Sequence, residues 1–206
     1  MPTETFFNLP DEKRQPVLDA AIGEFTTHPF SQASVNRIVE RAGISKGSFY
    51  QYFINKEDLF VHLVNVISEQ KMGVLEKTIH EEEANDLFSV LRALYLGGLR
   101  FADQYPDYAA IGRNLLKEKD SPIYQRLVAG GTQNAIEYFR PMVENAIQEG
   151  LLRKNLDPHF VSYLIATLTT HITEYYDEFI DSSFDKRMLD LVDQLIDLLR
   201  YGLASA

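Results

Sequence analysis

The chain has 206 residues and no cysteine, and 45% of its residues are hydrophobic and 24% charged. This composition is ordinary for a globular protein and excludes disordered, collagen-like and disulfide-stapled classes. The formal net charge of −10 would argue against a nucleic-acid partner if it were evenly spread, because such binding depends on neutralising phosphates. The length allows one large domain or a small domain joined to a larger one.

The charge is divided unevenly along the chain. Residues 1–56 hold six basic and six acidic residues, whereas residues 57–206 hold 14 basic and 24 acidic ones. Such an asymmetry indicates two parts with different partners. A solvated acidic surface beside a neutral one is the alternative explanation.

The amino-terminal residues lack the basic and apolar regions of a secretory signal. The longest uncharged stretch in the C-terminal half, Pro158 to Thr173, is shorter than the about 20 apolar residues of a spanning helix. We therefore expect a cytoplasmic protein without a membrane partner.

Apolar residues recur at helical spacing almost throughout, which predicts an all-α protein of about nine helices. After an irregular start, a stripe from Val17 to Phe25 predicts the first helix. A second, short helix begins at the cap candidate Ser34 and stops at Gly43, and Ser45 caps a third that ends near Tyr52. A helix, a tight glycine turn and a helix form a helix-turn-helix.

Asn55 is the cap candidate of a long linking helix that extends to about His80. Further helices are expected at about 86–105, from Pro106, from Pro122 to before Gly150, from Asp157-Pro158 to about 180, and at about 184–203. The pairs Gly97-Gly98 and Gly130-Gly131 lie in helical patterns, where close packing or a kink is their expected role.

The first turn of the third helix combines a cation, a residue without a side chain and a small hydroxyl, in Lys46, Gly47 and Ser48. In a helix-turn-helix this turn lies against base edges in the major groove. Ser34 and Asn36 open the preceding helix, where hydroxyl, amide and backbone N–H groups can bind phosphate. These five residues are therefore candidate DNA contacts, and ordinary surface polarity is the alternative for Ser48.

Residues 13–60 resemble the DNA-binding domain of the TetR family of bacterial transcriptional repressors. The resemblance rests on Leu18-x-x-Ala21-x-x-x-Phe25, on Ala42-Gly43-Ile44-Ser45 at the turn, and on Phe49-Tyr50-Gln51-Tyr52-Phe53 followed by Asn55-Lys56-Glu57. Pro29-Phe30 departs from the family pattern, which commonly has glycine before the aromatic residue. The similar segment covers about the first quarter of the chain.

The resemblance implies an N-terminal three-helix helix-turn-helix domain, residues 1–55, and a C-terminal helical bundle for effector binding and dimerisation, residues 56–206. It also implies that Tyr50 contacts phosphate, that Gln51 and Tyr52 contact the groove or the backbone, and that Lys56 clamps a phosphate. Because Tyr50 and Tyr52 are two residues apart on a helix, they cannot face the same way, and one of them is expected to lie partly in the core.

The function that the resemblance implies is repression from a palindromic double-stranded DNA operator, relieved by a small-molecule effector, without a cofactor. The last two helices carry long apolar stripes separated by the short Asp181-Ser182-Ser183 turn, which predicts a homodimer through a four-helix bundle. We expect Leu191 and Leu195 to face outward. The alternative is that both stripes face the interior of the same subunit.

The effector is expected to be apolar or aromatic, because residues 60–180 are rich in aromatic side chains with polar tips. The candidate contacts are Phe101, Tyr105, Tyr108, Phe139, His171 and Tyr175. Aromatic residues at helical spacing are more often core residues, which is the alternative.

No HExxH, GxSxG or Walker-type glycine loop occurs in the sequence, so we do not expect an enzyme. His171 and Glu174 lie about one helical turn apart and could ligate a metal ion. An α-helical metal-binding enzyme or metal sensor is therefore the alternative function. The ordinary explanation of these two residues is a histidine of the core or of a pocket next to a solvated acidic edge.

Overall fold

The computed structural model describes residues 1–180 and 185–202, and within these ranges it contains helices and no strand. The all-α prediction is confirmed. The eleven helices are α1 (Glu4–Phe7), α2 (Asp11–Thr27), α3 (Val35–Ala42), α4 (Lys46–Tyr52), α5 (Lys56–Glu81), α6 (Leu87–Gln104), α7 (Pro106–Leu116), α8 (Pro122–Val128), α9 (Gly131–Gln148), α10 (Pro158–Phe179) and α11 (Lys186–Tyr201). No helix in these two ranges is long and apolar enough to cross a membrane.

Two of these helices were not expected. The start of the chain is not irregular, because Glu4–Phe7 forms a helical turn whose Phe6 side chain is completely buried. The single helix expected from Pro122 to Gly150 is two helices, since Gly130 adopts a left-handed φ of 80° between α8 and α9. A residue with a Cβ seldom adopts that conformation, so glycine permits the break.

The chain forms two compact units. The first comprises Met1–Met72 and Ala102–Leu127, and the second comprises Gly73–Phe101 and Val128–Ala206. From the sequence, a boundary between a DNA-binding part and an effector-binding part is expected at residues 55 and 56. That boundary divides the chain by function, and the two compact units do not test it, so it stays a prediction. The Asp181-Ser182-Ser183 turn lies outside the described residues.

The core of the first unit is aromatic. Phe25 of α2 packs against Phe60 of α5 with ring centroids 4.7 Å apart, and Phe49 of α4 lies 5.4 Å from Phe53. All four side chains are almost completely buried. These rings join α2 to α5 and bury one face of the short helix α4.

The core of the second unit lies between α6, α9, α10 and α11, and includes Leu91, Phe139, Tyr176 and Val192. The expectation that Leu191 and Leu195 face outward is wrong. Leu195 is only 8% exposed, and Leu191 packs, partly buried, against this core. This part of the apolar stripe of α11 therefore packs against the core of its own subunit.

Helix α6 packs closely on α5 at Gly97. A Cβ at this position would lie 2.8 Å from Leu75 Cδ2 and 3.2 Å from Leu75 Cα, whereas a Cβ at Gly98 would meet nothing within 4 Å. The close packing expected of the glycine pair is therefore confirmed for Gly97.

The two neighbouring glycines provide a matched test of this packing. We expect Gly97→Ala to lower the free energy of unfolding by about 1–3 kcal/mol, because the added methyl group displaces Leu75. Gly98→Ala should leave it unchanged or raise it by up to about 1 kcal/mol, because alanine is the better helix former. Thermal and urea denaturation measure both changes, and equal effects of the two substitutions would contradict the packing argument.

Candidate nucleic-acid interface

The turn between α3 and α4 is formed by the expected residues. Gly43 ends α3 in the left-handed conformation, with φ of 67°, and its N–H donates to the Glu40 carbonyl over 3.2 Å. Ser45 caps α4, because its Oγ accepts the Ser48 N–H over 3.0 Å. Both local predictions are confirmed, and together they set the geometry of a helix-turn-helix.

The predicted DNA contacts all lie in the first unit, along the start of α3, along α4 and at the first residue of α5. The exposed ones are Asn36, Lys46, Gly47, Tyr50 and Gln51, and the half-buried ones are Ser34, Ser48, Tyr52 and Lys56. Their role in DNA binding stays a prediction.

Gly47 has no packing reason to be glycine. The nearest described atom to a Cβ built at this position is Ser45 Oγ, at an ordinary contact distance of 3.6 Å. Since glycine inside a helix costs about 1 kcal/mol relative to alanine, its presence in the first turn of α4 favours close approach of another molecule from outside.

The two tyrosines of α4 face different ways, as expected. Tyr50 is 51% exposed, whereas Tyr52 is half-buried with its ring centroid 6.0 Å from that of Phe6. Tyr50 is thus free to reach a phosphate, while Tyr52 also takes part in packing.

Lys56 binds backbone carbonyls of the loop before α3, a structural role that the sequence did not reveal. Its Nζ donates to the backbone carbonyls of Phe30 over 2.6 Å and Ala33 over 2.8 Å, and it lies 4.5 Å from the centroid of the Phe30 ring. Burial lowers the pKa of Lys56, and the nearby Glu118 and Glu24 charges partly oppose that shift. An ammonium group has three donors, so one N–H is left for a phosphate.

A buried carboxylate joins α2 to α3. Glu24 is only 1% exposed, and its Oε1 accepts the Ser34 N–H over 2.8 Å and the Arg37 Nε–H over 2.9 Å. Burial alone would raise the pKa of Glu24, but the hydrogen bonds from Arg37 and Ser34 and the charge of Arg37 outweigh it, so the pKa lies below its usual value. This carboxylate fixes the start of α3, where Ser34 and Asn36 lie.

Helix α7 and the residues just after it support the same region from a distant part of the sequence. Asn114 Nδ2 donates to the carbonyls of Phe25 over 3.1 Å and Thr26 over 2.9 Å, which are carbonyls at the end of α2. Glu118 Oε1 accepts the Ser31 N–H over 3.0 Å. Sequence patterns gave no signal for these contacts, because the partners are more than 80 residues apart.

The predicted effector contacts fall into separate environments. Tyr105 and Tyr108 stack in the first unit, with ring centroids 5.5 Å apart. In the second unit, Phe101 and Phe139 are buried, and Phe139 belongs to the core. Tyr175 of α10 is 49% exposed. The assignment of a common pocket stays a prediction.

The remaining predicted effector contact, His171, is exposed. Its Nδ1 lies 2.9 Å from the Thr167 carbonyl of its own helix. In residues 1–180 and 185–202, no group of three or more histidine, aspartate or glutamate side chains could hold a metal ion. The geometry of the described residues therefore gives the metal-binding alternative no support.

We predict that the Glu24–Arg37 pair contributes measurably to stability. Arg37→Ala should lower the free energy of unfolding more than the loss of a surface ion pair does, because it leaves the buried carboxylate of Glu24 short of partners, while the exposure of the guanidinium keeps the cost below that of a fully buried pair. Arg140→Ala, which removes a surface pair with Glu137, should change it by less than about 0.5 kcal/mol. Urea denaturation at pH 7 measures both.

The pair also sets a pH dependence. A carboxyl whose pKa is lowered by folding contributes stability above its unfolded pKa, here about 4.5, and loses that contribution as the pH falls through the folded pKa. Without Arg37, burial raises the pKa of Glu24, so Glu24 no longer gives the protein stability that is lost on acidification. The difference in stability between the wild type and Arg37→Ala should therefore narrow as the pH falls below about 4.5. Identical pH profiles of the two proteins would contradict this account.

Comparisons with known proteins agree with the helix-turn-helix geometry. Residues 17–63 match the family described as bacterial regulatory proteins, tetR family. The crystal structure of a TetR family transcriptional regulator from Chloroflexus aurantiacus J-10-FL is 33% identical to the chain, covers 98% of both chains and gives a TM-score of 0.69.

Two further relatives extend the comparison. The probable acrEF/envCD operon repressor of Escherichia coli (strain K12) is 25% identical over 162 residues, which are 74% of this chain and 70% of the repressor. The transcriptional regulator FadR from Bacillus subtilis, solved in complex with stearoyl-CoA, is 18% identical over 92% of this chain and 99% of its own, with a TM-score of 0.68, and this likeness shows the fold alone. The 33% identity over almost the full length, together with the matched helix-turn-helix segment, shows that the chain belongs to the TetR family of DNA-binding transcriptional regulators.

Proposed function

We propose that the protein is a repressor that binds a palindromic operator with α4 in the major groove and leaves it when a small molecule binds. The observation that carries this proposal is the exposed start of α4, where Lys46 and Gly47 precede Ser48 and the buried Phe49 fixes the opposite face. The name of the Escherichia coli operon repressor supports repression rather than activation.

In this proposal, different residues of α4 contact the phosphates and the base edges. The Lys46 ammonium is exposed and neutralises phosphate, which adds affinity for every sequence. The Gln51 side chain is also exposed, and its amide can both donate to and accept from a base edge, as in a bidentate contact with adenine. Ser48 Oγ lies 2.9 Å from Ser45 Oγ, which holds this hydroxyl near the start of the helix.

We predict two kinds of effect on DNA binding. Lys46→Ala should weaken binding to all duplexes alike and lower the slope of log affinity against log salt by about one, because one phosphate contact is lost. Gln51→Ala should change the preferred bases while leaving that slope unchanged. Fluorescence anisotropy at several salt concentrations, followed by binding-site selection, measures both effects.

The control for charge is Lys154→Ala, which removes an exposed lysine of the second unit. It should leave both the salt slope and the base preference as in the wild type. Wild-type affinity in a protein that combines Lys46→Ala with Tyr50→Phe and Gln51→Ala would contradict the proposed interface.

A palindromic operator requires two copies of α4 related by a two-fold axis, and we propose that α10 contributes the dimer surface together with α11. One face of α10 carries exposed apolar residues at helical spacing, namely Phe160, Tyr163, Leu164, Tyr175 and Phe179. Large apolar side chains that recur along one exposed helix face favour contact with another protein surface. Leu198 and Tyr201 are exposed apolar residues of α11.

The dimer prediction concerns two side chains of this row. A protein with both Leu164→Glu and Tyr175→Glu should stay folded and sediment as a monomer at micromolar concentration, because the new charges would have to be buried in the interface. Leu151→Glu, at a position that is 52% exposed outside the row, should sediment like the wild type. A wild-type protein that sediments as a monomer would contradict the proposal.

The effector that we propose is mostly apolar or aromatic. The aromatic side chains of residues 60–180 support this class, and the fold neighbour FadR binds stearoyl-CoA, whose acyl chain is apolar. Release from the operator requires that the ligand bind more tightly to the conformation that does not bind DNA, since equal affinity for both conformations shifts nothing.

A further inference from the structure

Helix α4 spans only Lys46–Tyr52, and the end that carries Gln51 and Tyr52 needs support. The last four carbonyl groups of any helix lack partners within the helix, and helices this short are unstable by themselves in water. One of these carbonyls, that of Phe49, accepts the Phe53 N–H over 2.9 Å. Of the other three, the carbonyls of Gln51 and Tyr52, at the very end of the helix, accept hydrogen bonds from outside it.

Thr3 satisfies both of them. Its backbone N–H donates to the Tyr52 carbonyl over 2.9 Å, and its Oγ1–H donates to the Gln51 carbonyl over 2.7 Å. Thr3 thus caps the C-terminal end of α4, although it lies 48 residues away from Gln51 in the sequence.

Phe6 anchors this cap in the core. Its side chain is completely buried, and its ring centroid lies 4.6 Å from that of Phe53, 6.0 Å from that of Tyr52 and 5.8 Å from that of His62 in α5. The segment Thr3–Phe6 is therefore held by α5 on one side while it holds the end of α4 on the other.

We propose that Thr3 and Phe6 are positioning residues for DNA recognition, which clamp the last turn of α4 so that Gln51 and Tyr52 point where DNA contact requires. The inference rests on the proposed function. The clamp acts on the backbone of Gln51 and leaves its side chain exposed. A helix end that frays would populate the binding-competent geometry for only part of the time, and the apparent affinity would fall by that fraction.

Substitutions at Thr3 remove the two donors one at a time. Thr3→Ser keeps both donors, Thr3→Val removes the hydroxyl, and Thr3→Pro removes the hydroxyl and the N–H. The φ of Thr3 is −72°, which proline adopts without strain. Thr27→Val is the matched control, because the Thr27 hydroxyl donates to Gly23 within α2 and does not contact α4.

The first readout is affinity for a duplex chosen by binding-site selection, compared with affinity for an unrelated duplex. Thr3→Val should weaken binding to the selected duplex about two- to ten-fold, which corresponds to the loss of one hydrogen bond, and Thr3→Pro should weaken it further. Binding to the unrelated duplex should change little, because it depends on charges that remain. Thr3→Ser and Thr27→Val should behave like the wild type.

The second readout needs no DNA. Hydrogen exchange of the Tyr52 and Phe53 amides should be faster in Thr3→Val and Thr3→Pro than in Thr3→Ser. The exchange rates of the α2 amides should be the same in all variants. If the wild type bound no duplex, the proposed function would fail, and the exchange rates would still decide about the clamp. Equal exchange rates in all variants, or equal loss of affinity for both duplexes, would overturn the inference.

Discussion

The helix that carries the predicted DNA contacts is too short to be stable by itself, and the rest of the first unit compensates for this. Seven residues form few internal hydrogen bonds, so most of the stability of α4 must come from its ends and its buried face. Ser45 caps the start, Thr3 caps the end, and Phe49 anchors the middle in an aromatic core. Because these supports satisfy the backbone, the outward side chains stay available for recognition.

The short helix α3 and the loop before it are also held by hydrogen bonds from residues of other helices. Glu24 holds the start of α3 through Ser34 and Arg37, and Lys56 holds the loop through two carbonyls. Both charged groups are partly or wholly buried and are hydrogen-bonded to backbone or ionic partners, and Lys56 keeps one N–H beyond its two carbonyl bonds. The predicted DNA contacts at the start of α3 are thus positioned by Glu24, a buried residue that is not itself a predicted DNA contact.

Sequence patterns revealed what depends on local chemistry. Ser45, Asn55 and Asp157 cap their helices as predicted, since a cap needs only a side chain and an N–H two or three residues away. Ser34 occupies the cap position of α3, but its side chain makes no capping hydrogen bond, and its N–H donates to Glu24 instead. The contacts of Thr3, Glu24 and Lys56 were beyond prediction, because they join elements that only the fold brings together. The orientation of α11 was mispredicted for a related reason: an apolar stripe does not reveal whether its partner is the same subunit or another.

The most direct test of the account uses the absence of cysteine from the sequence. Ser48→Cys introduces a single thiol in the first turn of α4, to which an iron chelate that cleaves nearby DNA can be attached. The account predicts cuts confined to the two operator half-sites and symmetric about their centre. The same reagent on Glu144→Cys, an exposed position of α9, should not produce those cuts. Cleavage from position 48 that is as scattered as cleavage from position 144 would contradict the central claim that α4 lies in the major groove.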